Sequence, residues 1–193
     1  MSSTAGGCTV HTIGHSTRTL EEFAALLTEA AVRVVVDVRA LPRSRKNPQF
    51  NVETLPTSLA HLGLDYRHLP ELGGRRHRPR GAPVSLNAFW RNDSFRNYAD
   101  YALTSEFAVG LDALRNLATS SRCAVMCSEA VWWRCHRRII ADYLLAGGFT
   151  VLHILGARAV QAAELTSGAT RLPDGRLLYP KDDGAIAWEA VSI

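Results

Sequence analysis

Short apolar runs alternate with amphipathic helical segments along most of this chain, and that alternation constrains the fold more than any other feature. Helical patterns between apolar runs are typical of parallel strands joined by right-handed crossovers. We therefore expect an α/β fold with a mostly parallel five-stranded sheet covered on both faces. The expected strands are residues 9–14, 33–38, 64–69, 123–127 and 149–155.

The boundaries of several helices can also be predicted. Thr19 and Glu22 form a capping-box pattern that opens a helix, and the pair Gly147-Gly148 should end another. Pro173-Asp174-Gly175 indicates the turn of a C-terminal hairpin. The remaining helices are expected from Asn51 to Leu62, over residues 95–103 and 105–118, from about Val131 onwards, and over residues 157–165.

The stretch from Cys123 to Arg138 carries the densest cluster of polar residues next to a strand. It begins as a buried strand and continues as a helix with Ile139 and Tyr143 on its apolar face. Open α/β folds bind ligands where strands end and helices begin, so we expect a site here. Its candidate residues are Cys127, Ser128, Glu129, Arg134, Cys135, His136 and Arg137.

Loops after the first four expected strands should leave the same edge of the sheet. That edge would bring residues from distant parts of the chain close to the cluster that follows Cys123. The residues concerned are His15, Arg39, Arg43, Arg45, the Gly73-Gly74 turn, Cys127, Glu129 and His136.

The positive charge is concentrated in one segment. Residues 37–80 contain nine basic and four acidic side chains, whereas the whole chain has a net charge of only +4. Such a segment is typical of a protein that binds an anionic partner, although a solvated surface that maintains solubility gives the same pattern.

Length and composition indicate a single α/β domain over residues 1–193. No apolar run reaches the roughly 18 residues of a membrane span, and the N-terminus lacks a signal-peptide pattern, so we expect a cytoplasmic protein. Free thiols rather than disulfides are then expected at Cys8, Cys123, Cys127 and Cys135.

Several segments resemble, in the same order, a bacterial family known as domain of unknown function 488. They are TIGHST, VDVRALPRSRKNPQFN, LDYRHLPELGGRR, FRNYADYALTSEF, VMCSEA, RCHRRIIADYL and VLHI, which together extend from about His11 to Ile154. The resemblance implies a Rossmann-like three-layer sandwich with shared polar residues in these loops, and it implies no particular reaction. Trp132 and Trp133 stand where more polar residues are expected.

Three of the edge residues are suited to general acid-base catalysis. A carboxylate at Glu129 and imidazoles at His136 and His15 can be tuned towards neutral pH in a partly closed cleft. The alternative for Glu129 is a buried ion pair with an arginine. For Asp37, inside an apolar strand, a structural pairing with Arg39 or Arg137 is the expected arrangement.

The cysteines leave two interpretations open. Cys127 either takes part in catalysis or fills the end of its strand, and Cys135 is either a thiolate stabilised by Arg134, His136 and Arg137 or a core residue. A cysteine-phosphatase loop is not expected, because Arg134 follows Cys127 one residue too late and Glu129 would repel a phosphate. We also expect no metal, since C-x7-C-H is not a recurring zinc-ligand spacing.

Three classes of function remain open, of which a ligand sensor is the third. The first is an enzyme that acts on a phosphate-bearing substrate, a nucleotide or nucleic acid, without a cofactor; the alternative is a nucleic-acid-binding module without chemistry. The enzyme hypothesis assigns catalysis to Glu129, His136, Cys127 and His15, and substrate binding to Arg39, Arg43, Arg45, Arg134 and Arg137. The oligomeric state stays open.

Overall fold

A computed structural model describes residues 7–181 and shows an α/β fold built on one six-stranded sheet. Along the sheet the strands follow the order β3-β2-β4-β1-β5-β6; the first five are parallel, and β6 is antiparallel to β5. The strands are β1 (Thr9–Gly14), β2 (Val34–Asp37), β3 (Asp65–His68), β4 (Cys123–Cys127), β5 (Thr150–Gly156) and β6 (Ala159–Ala162).

Five helices cover the two faces of this sheet. The helices are α1 (Leu20–Glu29), α2 (Leu55–His61), α3 (Asp93–Tyr101), α4 (Ser105–Ser120) and α5 (Arg137–Ala146). A separate hairpin of β7 (Thr170–Arg171) and β8 (Leu177–Leu178) turns at the predicted position.

The core is divided between the two faces of the sheet. On one face, α1 and α2 bury Phe23, Leu27 and Leu59 against β2 and β4. On the other face, α4 and α5 bury Phe107 and Ile139. The fold class and the five parallel strands predicted from the sequence are therefore confirmed.

Local sequence explains most of the element boundaries. The Thr19 side chain accepts a hydrogen bond from the Glu22 N–H, and the Glu22 carboxylate accepts one from the Thr19 N–H, so the predicted capping box opens α1. The β2 strand is buried at every residue, as expected for a central strand covered on both faces.

Three predicted boundaries are wrong. Residues 159–162 form the edge strand β6, because they pair with β5 beyond a bulge at Gly156. Helix α2 begins at Leu55 and not at Asn51, which places Pro56 in the first turn, where its missing N–H is tolerated. Helix α5 begins at Arg137, and residues 132–134 form a separate 3₁₀ turn.

The topology creates a crevice between β1 and β4. Chain leaving β1 continues into α1 on one face of the sheet, whereas chain leaving β4 continues into α5 on the other. Adjacent parallel strands whose connections diverge in this way open a crevice at their carboxyl ends. Within residues 7–181, no helix combines the length and the apolar character needed to cross a bilayer.

Candidate active site

A cleft of about 390 Å³ opens at this crevice. Its walls come from the loops that follow β1, β2 and β4, together with the chain around Gly74 and the start of α3. Seven of the nine predicted site residues line it, namely His15, Arg39, Arg43, Cys127, Glu129, Arg134 and His136. Arg45 and Arg137 do not line the cleft.

Asp37 and Arg39 form a buried ion pair below the cleft. The Arg39 Nε donates to Asp37 Oδ1 at 2.9 Å, and its Nη2 donates to Oδ2 at 2.6 Å. The Tyr66 hydroxyl donates to the same carboxylate at 2.7 Å, and Arg39 Nη2 also reaches the Phe50 carbonyl. The expected structural pairing of Asp37 with Arg39 is therefore present, and Arg39, which the enzyme hypothesis assigns to substrate binding, has a structural partner.

His15 is held between this ion pair and an aromatic ring. Its imidazole stacks on Phe50 at 4.2 Å, its Nδ1–H donates to the Ser16 carbonyl, and its Nε2 accepts from Arg39. Burial lowers the pKa of His15 to about 4, with Arg39 contributing in the same direction. Since the ring is neutral at pH 7 and both nitrogens are occupied, His15 is poorly placed for proton transfer.

Cys127 and Cys135 lie side by side, with their sulfur atoms 2.8 Å apart. Cys127 is the last residue of β4, and Cys135 lies between the 3₁₀ turn and α5. We call Cys127, Cys135, His136 and Arg137 the thiol centre. Since α5 starts later than predicted, Cys135 precedes the helix, and its sulfur accepts from the Arg137 backbone N–H at 3.5 Å.

Arg137 supplies a buried positive charge to the thiol centre. Its guanidinium Nε donates to the Cys135 sulfur at 3.4 Å, and its Nη2 donates to the Glu129 carbonyl at 2.6 Å. Arg137 is only 1% exposed, and no carboxylate among residues 7–181 forms an ion pair with it. A buried cation needs an anionic partner, and here the Cys135 sulfur is the group in position.

The two thiols therefore have opposite acidities. Burial alone raises the pKa of Cys135, but a hydrogen bond from the Cys127 thiol and the charges of His136 and Arg137 hold it well below its usual value. Burial and the neighbouring Cys135 raise the pKa of Cys127 well above its usual value. Cys135 is thus the thiolate of the pair, and Cys127 keeps its proton.

The His136 ring is oriented by contacts on both sides. Its Nε2–H donates to the Val38 carbonyl at 3.0 Å, which leaves Nδ1 directed at the Cys135 sulfur, 3.5 Å away. Gly74 packs against the ring so closely that a β-carbon there would lie 2.3 Å from His136 Nδ1. The arrangement fixes a cysteine and a histidine in the geometry of an activated nucleophile.

Glu129 is exposed at the mouth of the cleft and is therefore not the buried, arginine-paired residue of the alternative interpretation. In the part of the chain that the structure describes, its carboxylate makes no ion pair, and no direct hydrogen bond joins it to His136 or His15. Its backbone carbonyl is fixed by Arg137 and by close packing against Gly14, where a β-carbon would lie 1.8 Å from that oxygen. The loop is rigid at the backbone and presents a free carboxylate.

The arginines predicted to bind substrate take different positions. Arg134 is exposed, lines the cleft and has no acidic partner among residues 7–181, and Arg75 is arranged in the same way. Arg43 also lines the cleft but forms an exposed ion pair with Glu53. Arg137 lies behind the sulfur atoms, which is a different position from the one expected for a substrate-binding residue.

Sequence reasoning missed Ser94 and Phe95, which reach the cleft from the start of α3. Nothing in the sequence indicates that this helix returns to the carboxyl edge. The sequence does carry a signal for the thiol centre, because Asp37-Val38-Arg39 and Cys135-His136-Arg137 both place an arginine two residues after an acidic group. Across residues 7–181, no group of three or more His, Cys, Asp or Glu side chains is arranged to hold a metal ion.

The family described as "Domain of unknown function DUF488" matches residues 19–144. The chain belongs to this family. Curated proteins and solved structures give no match. The part that matches the DUF488 description contains β2, β3, β4 and the whole thiol centre, but it does not include β1 and His15.

Proposed function

We propose that this DUF488 protein is an enzyme that acts on a phosphate-bearing substrate of the nucleotide class, bound in the cleft. Cys135 is its nucleophile, and His136 and Glu129 transfer protons. The observation that carries this proposal is the set of contacts to the Cys135 sulfur, which meets His136 Nδ1 and two N–H groups of Arg137 within 3.5 Å. A surface that only binds has no need of an activated thiolate.

The Cys135–His136 pair resembles the nucleophile and base of covalent catalysis. His136 Nδ1 accepts the proton of the Cys135 thiol, and the Val38 carbonyl keeps the ring in the tautomer that allows this transfer. The resulting thiolate is stabilised by the Arg137 guanidinium and by the N-terminus of α5. The nucleophile is therefore ready before any substrate binds.

The charges at the mouth of the cleft favour an anionic substrate. Arg75, Arg134 and Arg43 line the cleft as exposed cations, while Glu129 is the one acidic residue in its lining. Arginine binds phosphate through paired N–H groups and is more weakly hydrated than lysine, so a phosphate group is the anion that suits this mouth best.

A second cleft of about 700 Å³ favours a nucleotide over a simple phosphate ester. It shares Phe95 with the first cleft, and its lining includes Phe89, Trp90 and Trp133. Trp133 is 45% exposed, and Arg138 lies over the Trp90 ring. Aromatic faces beside cations can stack on a base, so the phosphate would enter the first cleft and the base the second.

Glu129 completes the proposed machinery. Its carboxylate is not committed to an ion pair in the described chain, in contrast to Asp37, so it is free to give a proton to a leaving group or to activate water. In this scheme Glu129 and the Cys135 thiolate act from the same wall of the cleft, because both leave the end of β4.

Protection of Cys135 from alkylation tests the substrate class without a known reaction. Iodoacetamide labelling would be followed at neutral pH and low salt with inorganic phosphate, AMP or a short RNA oligonucleotide present. Saturating nucleotide should slow the labelling of Cys135 at least about tenfold, because it fills the approach to the sulfur. Arg134→Gln should weaken the protection, whereas Arg122→Gln, an exposed arginine outside the cleft, should not.

Turnover tests the enzyme class. A nucleotide mixture would be incubated with the protein and with Cys135→Ser, and the products followed by mass spectrometry; Cys123→Ser, at a buried cysteine of β4 that does not line the cleft, is the matched control. Product formation that Cys135→Ser retains in full would overturn the proposed nucleophile. Absence of both protection and binding with all three probes would overturn the substrate class.

A non-catalytic nucleic-acid-binding module is the second candidate, and one observation favours it. Arg45, Lys46 and Arg78 are exposed but lie outside the cleft, where a longer polyanion could reach them. The logarithm of the binding constant for duplex DNA should then fall linearly with the logarithm of the salt concentration, with a slope of roughly −0.9 per phosphate contacted. Tight, salt-sensitive DNA binding that Cys135→Ser leaves unchanged, without any turnover, would favour the module.

A further inference from the structure

The thiol centre contains a second sulfur that the proposed reaction does not use. Cys127 lies 2.8 Å from the Cys135 sulfur and is only 2% exposed, while Cys135 is 3% exposed. A disulfide bond is about 2.05 Å long, so the two sulfurs need to approach by less than about 1 Å to become bonded. Both residues are free thiols in the structure.

The backbone brings the two cysteines together from fixed positions. Cys127 ends β4 in register with Gly14 of β1, and the N–H of His15 donates to the Cys127 carbonyl. The Cys135 N–H closes the 3₁₀ turn by donating to the Trp132 carbonyl. Backbone hydrogen bonds at the end of β4 and at the 3₁₀ turn therefore hold the two sulfurs in contact.

The chemical asymmetry of the pair matches that of a redox-active dithiol. Cys135 contacts His136 Nδ1 and two N–H groups of Arg137, all of which favour a thiolate at that sulfur. Cys127 contacts the Glu129 carbonyl at 3.9 Å and the Cys135 sulfur at 2.8 Å, and its burial together with the neighbouring Cys135 favours a protonated thiol. A nucleophilic thiolate beside a resolving thiol is the usual arrangement at sites that oxidants convert to disulfides.

We propose that Cys127 and Cys135 form a reversible disulfide when a hydroperoxide reaches the cleft. The Cys135 thiolate attacks one peroxide oxygen; the S–O bond forms while the O–O bond breaks, and the leaving oxygen departs as water or an alcohol after taking a proton. Cys135 is then a sulfenic acid. The Cys127 sulfur attacks it, the S–S bond forms, the S–O bond breaks, and hydroxide leaves as water with the Cys127 proton.

The two thiols supply the two electrons that reduce the peroxide, and an external dithiol reverses the change by becoming a disulfide itself. The oxidised form lacks the Cys135 thiolate, so the proposed nucleophile would be switched off. Oxidation requires no nucleotide, and the inference therefore holds or fails independently of the substrate class.

Trypsin offers a direct way to detect this bond. Cleavage after Arg122, Arg134 and Arg137 releases residues 123–134 and the tripeptide Cys135-His136-Arg137 as separate peptides. After treatment of the reduced protein with hydrogen peroxide and blocking of free thiols, these peptides should be recovered as one linked species. The intact protein should have lost two hydrogen atoms, and dithiothreitol should restore both thiols.

Matched variants identify the partners. Cys127→Ser should accumulate a sulfenic acid at Cys135 that dimedone traps, and Cys135→Ser should leave Cys127 reduced. Cys123→Ser should behave as the wild type, because Cys123 is a core residue of the same strand whose pKa is raised to about 11 by burial. Loss of the Cys135 thiol should be at least about tenfold faster than loss of the Cys123 thiol.

Two results would overturn the inference. The first is a wild-type protein whose linked peptides never appear while Cys135 is oxidised beyond the sulfenic acid. The second is a Cys127→Ser variant in which Cys135 forms no dimedone adduct and resists peroxide as Cys123 does. If a variant fails to fold, as judged by circular dichroism, the peptide map of the wild type alone decides the question.

Discussion

Two arginines lie buried at neighbouring strand ends, and each is matched by an acidic group two residues earlier in the chain. After β2, Asp37 pairs with Arg39; after β4, the Cys135 sulfur faces Arg137. Both guanidinium groups also donate to a backbone carbonyl, Phe50 in one case and Glu129 in the other. At both places a buried guanidinium cation needs an acidic partner.

The solutions differ in chemistry. Asp37 supplies a carboxylate, which the Arg39 guanidinium contacts through both oxygens, and Tyr66 donates a further hydrogen bond to it at 2.7 Å. Cys135 supplies a sulfur at 3.4–3.5 Å from the two N–H donors of Arg137, and sulfur is a weaker acceptor but a strong nucleophile. The Asp37–Arg39 pair therefore holds the loops together, whereas the Cys135–Arg137 pair places a nucleophilic sulfur near the neighbouring strand end.

Removing the carboxylate should have the largest effect. Asp37→Ala leaves Arg39 buried without its anion, and we expect the free energy of unfolding to fall by about 3–5 kcal/mol, the scale for breaking a buried ion pair. Urea unfolding followed by circular dichroism measures this. Asp65→Ala, at an exposed position of β3, is the control and should change stability by less than about 0.5 kcal/mol. If Asp37→Ala lowers the free energy of unfolding only slightly, the Asp37–Arg39 pair does not have the structural role assigned to it here.

Acid should destabilise the same network through His15. Its pKa is about 4 in the folded protein and about 6.5 when unfolded, so below pH 6.5 the unfolded state binds the extra proton. The contribution of His15 to stability should decrease by about 3 kcal/mol as the pH drops from 6.5 to 4, and this contribution should level off below that pH.

Unfolding measured across this pH range in the wild type and in His15→Gln isolates that contribution. Burial also lowers the pKa values of His11 and His153, and their contributions are common to both proteins. Between pH 4 and 6.5 the stability of His15→Gln should depend less steeply on pH than that of the wild type. The difference in slope should correspond to nearly one proton fewer taken up on unfolding. Identical slopes for the two proteins would mean that folding does not lower the pKa of His15.

Much of this fold could be predicted because its elements are local in origin. The five parallel strands follow from apolar runs bounded by breakers, and the capping box at Thr19 predicts the start of α1. The edge strand β6 could not be predicted in the same way. All four of its residues are exposed, so it lacks a buried face, and it exists because it pairs with β5.

The candidate site likewise contains features that the sequence predicts and one that it does not. That His15, Cys127, Glu129 and His136 share one cleft follows from parallel strands ending at one edge. The contact between Cys127 and Cys135 cannot be predicted in this way, because it depends on the 3₁₀ turn at residues 132–134 and on the late start of α5. With the helix placed six residues too early, Arg137 was expected in the cleft and not behind the sulfur atoms.

The next effect tests the thiolate half of the comparison. Arg137→Gln removes the charge nearest to the Cys135 sulfur and should raise its pKa by at least about one unit, which shifts the pH profile of the alkylation rate to higher pH by the same amount. Iodoacetamide kinetics across pH measure this, with circular dichroism to verify folding. Arg137→Lys should recover part of the rate, and Arg138→Gln, the next residue on α5, should leave the pH profile in place. An unchanged profile in Arg137→Gln would show that His136 alone sustains the thiolate.

The smallest expected effect concerns Glu129, the acid at this edge that pairs with no arginine in the described chain. Because its carboxylate is exposed, Glu129→Gln should change the free energy of unfolding by less than about 0.5 kcal/mol, in contrast to Asp37→Ala. The same change removes a negative charge from a cleft lined by Arg75 and Arg134, so the affinity for inorganic phosphate should rise about two- to fivefold, the scale of a screened charge several ångströms away. Calorimetric titration at low salt measures the affinity, and Glu164→Gln, at an exposed position outside the cleft lining, is the matched control. If Glu129→Gln unfolds the protein, the carboxylate belongs to a structural network like that of Asp37, and its assignment to proton transfer fails.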